Sequence, residues 1–480
     1  MRRPTIVREA MVATSHPLAT SAGLRALEHD GNAVDAALAA AAMLCVAEPG
    51  HTGIGGDLFA QLWWNGELIG LNGSGRAPRE LPEVAAAEES GPRSVTVPGA
   101  VRAWADLAER FGRLGLDAAL VPAIESAERG LAATERVALH WAASERAPWS
   151  APRRGALYRL PELAATLRRI ETDGPDALYR GRVAEQIAAA SWLDEGDLAG
   201  HVSEWVEPLR MAYRGVEVCE LPPNGQGAAA LIALGLLEGL PDTLHSRIEA
   251  VKLALADAYA QIGDAPLPEL LLEPEHLAAR RALVVPNRAL EPRPSVLPRG
   301  GTTYLCAVDG DRNAVSLIQS TYYHWGSGVL AGDTGIVLQN RAWGFSAEKD
   351  HPNRLAGGRR PFQTIIPGLL LRDGRLWGPF GVMGGPMQAQ GHVQLVHALV
   401  DRGLDPQRAL DLPRFRVEEG RRVSLEPGLA AELAALSEIG HDVSVAADEH
   451  SFGVGQCVLA EGEALVGGSD GRGDGSACGF

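Results

Sequence analysis

Lysine is nearly absent from this chain of 480 residues, which carries it only as Lys252 and Lys349. The 44 basic residues are therefore almost all arginine, and 60 acidic residues leave a net charge of −16. Nucleic-acid backbones and anionic membrane surfaces bind clustered positive charge on a protein. The charge balance argues against both as partners.

Cysteine is also scarce, and its pattern excludes two structural roles. The five cysteines are far apart, odd in number and without a CxxC pair: Cys45, Cys219, Cys306, Cys457 and Cys478. Disulfide frameworks and zinc sites use closely spaced sets. The 13 histidines form no HExxH motif and no paired ligand spacing, which disfavours a metalloenzyme. We expect small buried cysteine side chains and no metal site.

Long apolar segments are missing as well. No apolar run reaches membrane-spanning length, and residues 1–10 contain no apolar signal-peptide core. We therefore expect a cytoplasmic protein. Hydrophobic residues make up 46% of the chain, enough for a sizeable core in one large domain or in two to three ordinary ones.

The first hundred residues predict both helices and strands. Residues 11–48 carry small and apolar residues at helical spacing and end in an alanine-rich segment typical of a buried helix. Residues 58–64 and 67–71 predict the two strands of a hairpin, because Asn65-Gly66 between them favours a tight turn.

The predicted secondary structure changes from mostly helical to mostly strand after residue 284. Residues 100–290 are mostly helical in pattern, with a rigid turn at 222–227, and the proline-rich residues 284–301 predict a linker or exposed loop. Strands are predicted to dominate after this loop, with helices only at 388–401 and 427–439. The predicted strands are 303–309 and 314–319, which form a hairpin, followed by 364–371 and 457–460.

A Gly-Gly-Thr-Thr sequence over residues 300–303 opens this strand-rich part. The hydroxyl of Thr302 can attack the peptide bond that joins it to Gly301, and cleavage there makes Thr302 a new N-terminus. Its free α-amine then serves as base for its own hydroxyl, the threonine variant of nucleophilic catalysis. The tetrapeptide alone fits a plain loop-to-strand junction, so the interpretation depends on three further features.

The first feature is Gly384-Gly385 before a predicted helix, where unhindered amides and the helix dipole favour an oxyanion hole. The second is Ser320, followed by Thr321, at the end of the strand predicted to pair with the strand of Thr302. The third is Arg341, whose guanidinium suits a substrate carboxylate. The plainer interpretations are a tight turn, a satisfied strand-end hydroxyl and a surface ion pair.

Several longer motifs, in the same order along almost the whole chain, resemble the γ-glutamyltranspeptidase family of N-terminal nucleophile hydrolases. They occupy residues 11–19, 31–37, 52–57, 72–78, 309–315, 384–385 and 474–477. The resemblance implies an α+β fold, a four-layer αββα sandwich. It also implies cleavage between Gly301 and Thr302, which gives a helix-rich large chain 1–301 and a small chain 302–480 within one αββα unit.

The resemblance assigns roles to four residues of this sequence. Thr302 matches the nucleophile, Ser320 stands where the family has a threonine that assists it, and Gly384 and Gly385 match the oxyanion-hole glycines. The implied reaction cleaves an amide through an acyl-enzyme, with hydrolysis expected to dominate over transpeptidation. No metal or organic cofactor is needed for this chemistry.

The positions that hold a γ-glutamyl group in the family are changed in this chain. They are occupied by Ser74, Tyr322, Arg341, Gly344, Gln363 and Thr364. The carboxylate expected to accept the glutamyl α-amine is replaced by Gly344, and an unpaired buried ammonium costs several kcal/mol. The pattern around Arg341 resembles the branch that includes oxamate amidohydrolase and is similar to the cephalosporin acylases.

We therefore expect a small acid amide as substrate, bound by Arg341, Tyr322, Arg76 and Thr364. A genuine γ-glutamyltransferase or glutathione hydrolase remains an alternative, as does an uncleaved scaffold without enzymatic activity. A serine hydrolase using the GxSxG match at residues 467–471 lacks the histidine that should follow downstream. The expected partners are a small-molecule amide and the protein's own two chains after cleavage, and a homo-oligomer is left open.

Overall fold

A computed structural model gives the structure of the protein and describes residues 2–82, 87–266, 269–292, 301–447 and 450–480. Part of the loop predicted over 284–301, namely residues 293–300, lies outside the described residues.

The strands of the described residues number nineteen and are mostly short. They are β1 (Thr5–Val7), β2 (Met11–Thr14), β3 (Asp57–Trp64), β4 (Glu67–Gly73), β5 (Leu131–Ala132), β6 (Leu157–Tyr158), β7 (Glu204–Val206), β8 (Leu209–Tyr213), β9 (Val216–Glu220), β10 (Gly301–Val308), β11 (Ala314–Tyr322), β12 (Gly368–Arg372), β13 (Arg375–Met383), β14 (Phe415–Val417), β15 (Arg422–Leu425), β16 (Asp442–Val445), β17 (Val454–Glu461), β18 (Ala464–Ser469) and β19 (Ser476–Gly479).

Fifteen α-helices accompany these strands in the same described ranges. They are α1 (Pro17–Glu28), α2 (Ala33–Ala47), α3 (Ala100–Phe111), α4 (Leu116–Arg129), α5 (Glu135–Ala142), α6 (Pro161–Asp173), α7 (Asp176–Tyr179), α8 (Gly181–Ala190), α9 (Glu195–Ala199), α10 (Gly227–Leu237), α11 (Leu244–Gln261), α12 (Pro274–Arg281), α13 (Met387–Val400), α14 (Pro406–Leu410) and α15 (Leu433–Glu438).

Two seven-stranded antiparallel sheets form the middle of the molecule. Sheet I has the strand order β19-β2-β10-β11-β3-β4-β7, and sheet II has the order β1-β18-β17-β13-β12-β9-β8. Apolar side chains of both sheets pack against each other between them, among them Phe59 and Tyr304 from sheet I and Val458 and Leu465 from sheet II. Two stacked sheets bury one face of each strand in this way.

Helices cover the outer face of each sheet. One apolar cluster joins sheet I to helices α1, α2, α3, α4 and α6. A second cluster joins sheet II to α10, α11 and α13. The layer order is helix, sheet, sheet, helix, which confirms the expected four-layer αββα sandwich.

Each sheet combines strands from both sides of the Gly301–Thr302 bond. Sheet I takes β2, β3, β4 and β7 from residues 1–301, and β11 and β19 from residues 302–480. Sheet II takes β1, β8 and β9 from the first segment and β12, β13, β17 and β18 from the second. The two segments therefore share one core.

The strand and helix predictions are confirmed in part. Both predicted hairpins form, as β3–β4 and as β10–β11, and α13 covers the predicted helix at 388–401. The helical pattern of 100–290 was wrong over 204–220, because β7, β8 and β9 complete the edges of the two sheets there. The strand predicted from residue 364 begins only at Gly368. Before it, Thr364 Oγ1 accepts a hydrogen bond from Arg341 and Ile366 N donates to Gln388 Oε1.

None of the helices in the described ranges is both long and apolar enough to cross a bilayer.

Helix α2 is buried on every side, because it lies between sheet I and the outer helices α1 and α4. A capping box of Asn32 and Asp35 begins it, and Glu48 follows its last residue. The Glu48 side chain is buried and accepts a hydrogen bond from Ser15 Oγ. Burial raises the pKa of Glu48 from 4.5 to about 7, although Ser15 and Arg136 oppose the rise.

This raised pKa predicts that Glu48 makes stability depend on pH. Below pH 4.5 the carboxyl is neutral in both the folded and the unfolded chain, and its stabilising contribution is lost as the pH rises through about 7. We expect Glu48→Gln to raise the free energy of unfolding at pH 8 by about 1–3 kcal/mol. Urea unfolding at pH 8 and pH 4.5 measures this, and the gain should vanish at the lower pH. An equal gain at both pH values would contradict the ionisation argument.

Candidate active site

Thr302 lies at an irregularity of the β10–β11 pair. Gly301 pairs with Tyr322 and Thr303 pairs with Gln319, so the register shifts between them. Two residues of β11, Ser320 and Thr321, therefore lie opposite the single residue Thr302. Such a bulge re-aims side chains and often occurs next to active sites.

The Thr302 hydroxyl has two hydrogen-bond partners. It donates to Ser320 Oγ at 3.3 Å and accepts from Gln388 Nε2 at 3.3 Å. Ser320 Oγ also accepts the backbone N–H of Tyr322 at 2.8 Å. Thr302, Ser320 and Gln388 are all buried. The predicted pair of Thr302 and Ser320 is thus in direct contact in the folded chain.

Sequence reasoning missed Gln388, which comes directly into contact with the Thr302 hydroxyl. The amide of Gln388 is held in orientation because its Oε1 accepts the backbone N–H of Ile366 at 3.1 Å. The available signal was a glutamine in the first turn of a predicted helix, three residues after Gly384-Gly385. Its importance depends on a contact across 86 residues of sequence, which no local pattern carries.

The Gly384-Gly385 turn leads into α13 with backbone angles that favour glycine. Gly384 has φ of 133° and Gly385 has φ of 58°. A Cβ at Gly384 would lie 2.9 Å from Gly453 Cα, so the turn has no space for a side chain. Among the described residues, no hydrogen bond occupies the backbone N–H of either glycine. These two donors remain available for an oxyanion.

Gln226, in the turn after β9, holds the backbone of the Gly384-Gly385 turn in place. Its Nε2 donates to Gly385 O at 2.8 Å and to Thr364 O at 2.6 Å. The rigid turn predicted at 222–227 therefore links the Gly-Gly turn to the segment that carries Thr364.

Arg341 is fully buried and only partly satisfied. It begins a short 3₁₀ turn, its Nη1 donates to Thr364 Oγ1 at 3.2 Å, and its Cζ lies 4.1 Å from the centre of the Tyr322 ring. Its Nε and Nη2 have no hydrogen-bond partner among the described residues. Burial lowers the pKa of Arg341 to about 10, which Asp57 opposes, so the side chain stays charged at neutral pH.

The charge of Arg341 faces a buried carboxylate, that of Asp57 at the start of β3. Asp57 accepts hydrogen bonds from Gly75 N at 2.9 Å, Gln339 Nε2 at 3.0 Å and Gln363 Nε2 at 2.6 Å. Burial raises the pKa of Asp57, while Arg341 and these three donors oppose the rise. All three donors are N–H groups. An ionised carboxylate only accepts hydrogen bonds, whereas a protonated acid also carries an O–H group that needs an acceptor. We read Asp57 as the ionised partner of Arg341.

Tyr322 ends β11 in an unusual conformation. Its φ of 79° lies in the left-handed region, which costs a residue other than glycine about 1–2 kcal/mol. The Ser320 Oγ bond to Tyr322 N holds this backbone and brings the ring against Arg341. The buried Tyr322 OH has no hydrogen-bond partner within the described ranges. Burial raises the pKa of Tyr322, so the hydroxyl keeps its proton and remains a donor.

Arg76 lies apart from this group. Its guanidinium is 2.5 Å from Glu204 Oε1 and 3.0 Å from Asp264 Oδ2, and Arg360 binds the same two carboxylates. Its side chain is 38% exposed, unlike the buried Arg341. Contacts connect Thr302, Ser320, Tyr322, Arg341 and Thr364 in sequence, and Gln226 bonds both Thr364 and Gly385. Arg76 belongs to a separate ion-pair network. Its role in substrate binding stays a prediction.

The GxSxG match at residues 467–471 does not have the geometry of a nucleophile elbow. Ser469 ends β18, and the fully described residues after it form β19 and no helix. A serine nucleophile of that type requires a strand–turn–helix arrangement.

Comparison with known proteins extends over the whole chain. The family described as Gamma-glutamyltranspeptidase matches residues 19–480. The glutathione hydrolase-like YwrD proenzyme of Bacillus subtilis is 33% identical over 529 aligned positions, which cover 100% of both chains. The oxamate amidohydrolase proenzyme of Klebsiella pneumoniae is 33% identical over 543 positions, again covering 100% of both.

A solved structure has the same fold throughout. The crystal structure of cephalosporin acylase from Bacillus halodurans matches with a TM-score of 0.95 and 41% identity, covering 100% of this chain and 97% of that one. The expected resemblance, including its oxamate amidohydrolase branch, is therefore confirmed. The chain belongs to the γ-glutamyltranspeptidase family and is an amide-bond hydrolase of the N-terminal nucleophile type.

Proposed function

We propose that the chain cuts itself between Gly301 and Thr302 and then hydrolyses a small acid amide through an acyl-enzyme on Thr302. The large chain would comprise residues 1–301 and the small chain residues 302–480. The observation that carries this proposal is the buried contact set of Thr302 Oγ1 with Ser320 and Gln388, beside an arginine with two unsatisfied N–H groups.

In the uncut chain, Thr302 N is a peptide nitrogen and cannot act as a base. Thr302 Oγ attacks the Gly301 carbonyl carbon, the C–N bond breaks as the hydroxyl proton passes to the departing nitrogen, and the Gly301 acyl group is left on the Thr302 oxygen. Water then hydrolyses this ester, which releases the Gly301 carboxylate and leaves Thr302 with a free amine and a free hydroxyl. Gln388 Nε2 and Ser320 Oγ orient the Thr302 hydroxyl for this attack, while the negative charge develops on the Gly301 carbonyl oxygen.

In the cut protein, the Thr302 amine takes the proton of the Thr302 hydroxyl as that oxygen attacks the substrate amide carbon. An α-amine has an ordinary pKa of about 7.7–8.0, which suits a base near neutral pH. The backbone N–H groups of Gly384 and Gly385 stabilise the oxyanion. The leaving amine takes the proton and departs, and water releases the acid from the Thr302 ester.

The substrate's acid group would bind at Arg341. Arg341 Nε and Nη2 and the Tyr322 OH are buried donors that no described residue bonds, and they belong to two side chains in direct contact. A carboxylate offers about four acceptor sites and forms its strongest hydrogen bonds with guanidinium. Binding an acid at this point satisfies donors that are costly to leave unmade.

A γ-glutamyl substrate fits this arrangement less well, because its α-ammonium needs an acceptor. The family's carboxylate position is Gly344, where an added Cβ would lie 3.0 Å from Phe362 O and 4.0 Å from Tyr322 OH. The nearby carboxylate of Asp57 already accepts three hydrogen bonds. A panel of oxamate, glutaryl amides and γ-glutamyl anilides separates the two substrate classes, and exclusive turnover of γ-glutamyl compounds would refute the acid-amide assignment.

Self-cleavage predicts two chains from one gene product. Intact mass under denaturing conditions should give fragments that meet between Gly301 and Thr302 in the wild type, and one uncut chain for Thr302→Ala. Thr302→Ser keeps a hydroxyl and should still cut, which separates loss of the nucleophile from loss of folding. A single uncut wild-type chain without amidase activity would favour the non-enzymatic scaffold.

Arg341→Met should weaken binding of the acid group while it keeps the side-chain volume. We expect KM for the accepted acid amide to rise about 10–100-fold, the effect of losing hydrogen bonds to a charged group. The matched control is the neutral diamide of the same acid, such as oxamide against oxamate, whose kcat/KM should change little. An equal loss on both compounds would mean that Arg341 acts on folding and not on the acid group.

Gln388→Leu removes one donor to the Thr302 hydroxyl. We expect kcat to fall about 10–100-fold with KM nearly unchanged, because a misplaced nucleophile can cost about 100-fold in rate without weakening substrate binding. Self-cleavage, followed by intact mass over time, should slow as well. Gln394→Leu on the same helix is the control, since Gln394 bonds Gln390 O and Phe415 and does not contact Thr302. Wild-type kcat in Gln388→Leu would exclude a role in the reaction.

A further inference from the structure

Three histidines outside the candidate active site form one cluster. His51 lies in the loop between α2 and β3, His140 lies on α5, and His324 follows β11 by two residues. One ring nitrogen from each lies within 4.8 Å of the other two. No sequence spacing links these positions, so the cluster is a product of the fold.

We propose that His51, His140 and His324 bind one divalent transition-metal ion, of the class of Zn²⁺. Zn²⁺ is bound by histidine nitrogens at about 2.0–2.1 Å, and three protein ligands leave a fourth position open to water. The site is distinct from the machinery proposed around Thr302.

The ring positions fit a common metal ion. A ring centroid lies about 3.1 Å from a bound Zn²⁺, so three imidazoles have centroids about 4.4 Å apart at right angles and about 5.1 Å apart in a tetrahedron. The observed centroid distances are 4.8 Å for His51–His140, 4.6 Å for His51–His324 and 5.2 Å for His140–His324. The three centroid separations therefore lie within this narrow range or just above it.

The ligand atoms of His51 and His140 are also close enough. His51 Nε2 and His140 Nδ1 are 2.9 Å apart, which matches two cis ligands of one ion. Two neutral imidazoles can otherwise share only one proton at that distance. Burial, with neighbouring positive charge, lowers the pKa of His51 well below 6.5 and that of His324 to about 4, so both rings are neutral, the form that binds a metal.

The surroundings supply an apolar wall and one opposing charge. Trp141 and Trp325, next in sequence to two of the histidines, belong to an apolar cluster with Val137 and Val337. Such a shell limits solvent access to a metal site. Arg136 lies near enough to act on His51 and His324. Its charge opposes a dication, so we expect a dissociation constant in the micromolar range.

A second cluster of possible ligand atoms does not fit a metal. His245, Glu249 and His441 are equally close together and buried. However, Lys252 Nζ already lies 3.0 Å from Glu249 Oε1 and 3.1 Å from His441 Nδ1. An ammonium therefore occupies the acceptors that an ion would need, which makes this cluster a control within the same chain.

The test is a titration of chelator-treated full-length protein with Co²⁺, followed by competition with Zn²⁺. We expect one ion per chain, a Co²⁺ absorption band that Zn²⁺ removes, and a rise in the unfolding temperature with Zn²⁺. His51→Gln and His324→Gln should each weaken binding by at least about 100-fold, since even loss of an outer-shell partner costs about 10–100-fold. His441→Gln should bind like the wild type.

Three results would overturn the proposal. They are no saturable binding to the wild type, unchanged binding in both His51→Gln and His324→Gln, and loss of binding in His441→Gln alone. The wild-type spectrum and stoichiometry do not depend on the folding of any variant. None of these readouts uses amidase activity, so the metal site and the proposed function fail or stand separately.

Discussion

The candidate site depends on one buried carboxylate. Taking an ion such as Asp57 out of water costs several kcal/mol, and here three N–H donors and the charge of Arg341 offset that cost. The donors come from three separate parts of the chain, at Gly75, Gln339 and Gln363. Without this carboxylate, Arg341 would be an uncompensated buried charge. The Asp57 carboxylate thus links three segments of the chain beside Arg341 and compensates its charge.

The same pair gives the site its electrical character. Burial lowers the pKa of Arg341, the charge of Asp57 opposes that shift, and the guanidinium stays protonated at neutral pH. Thr364 and the Tyr322 ring fix the guanidinium plane, and two of its N–H groups stay unmatched. The site therefore has more fixed hydrogen-bond donors than acceptors, which favours a negatively charged ligand. Binding such a ligand needs no large movement of the protein.

Several elements of the fold and of the site could be predicted because short stretches of sequence determine them. Asn65-Gly66 and the turn after Asp309 predicted the two hairpins. Gly384-Gly385 before α13 predicted a turn with unhindered backbone amides. Contacts made across the fold were not accessible. Gln388 looks like any polar helix residue until its neighbour Thr302 is known, and the position of Arg76 in a motif does not reveal that Glu204 and Asp264 bind it. Strands β7–β9 were hidden for the same reason, since their pairing partners decide their conformation.

Both sheets contain strands from each side of the Gly301–Thr302 bond, and this affects how a cut protein would unfold and refold. In a chain cut after Gly301, β10 lies between β2 and β11, so the new fragments are interleaved and cannot drift apart while folded. Once unfolded, however, they are two molecules, and their return requires an encounter in solution. Refolding becomes bimolecular and dilution works against it, so persistence of the cut protein is governed by its unfolding rate. The backbone cut would convert an equilibrium fold into a kinetically held assembly.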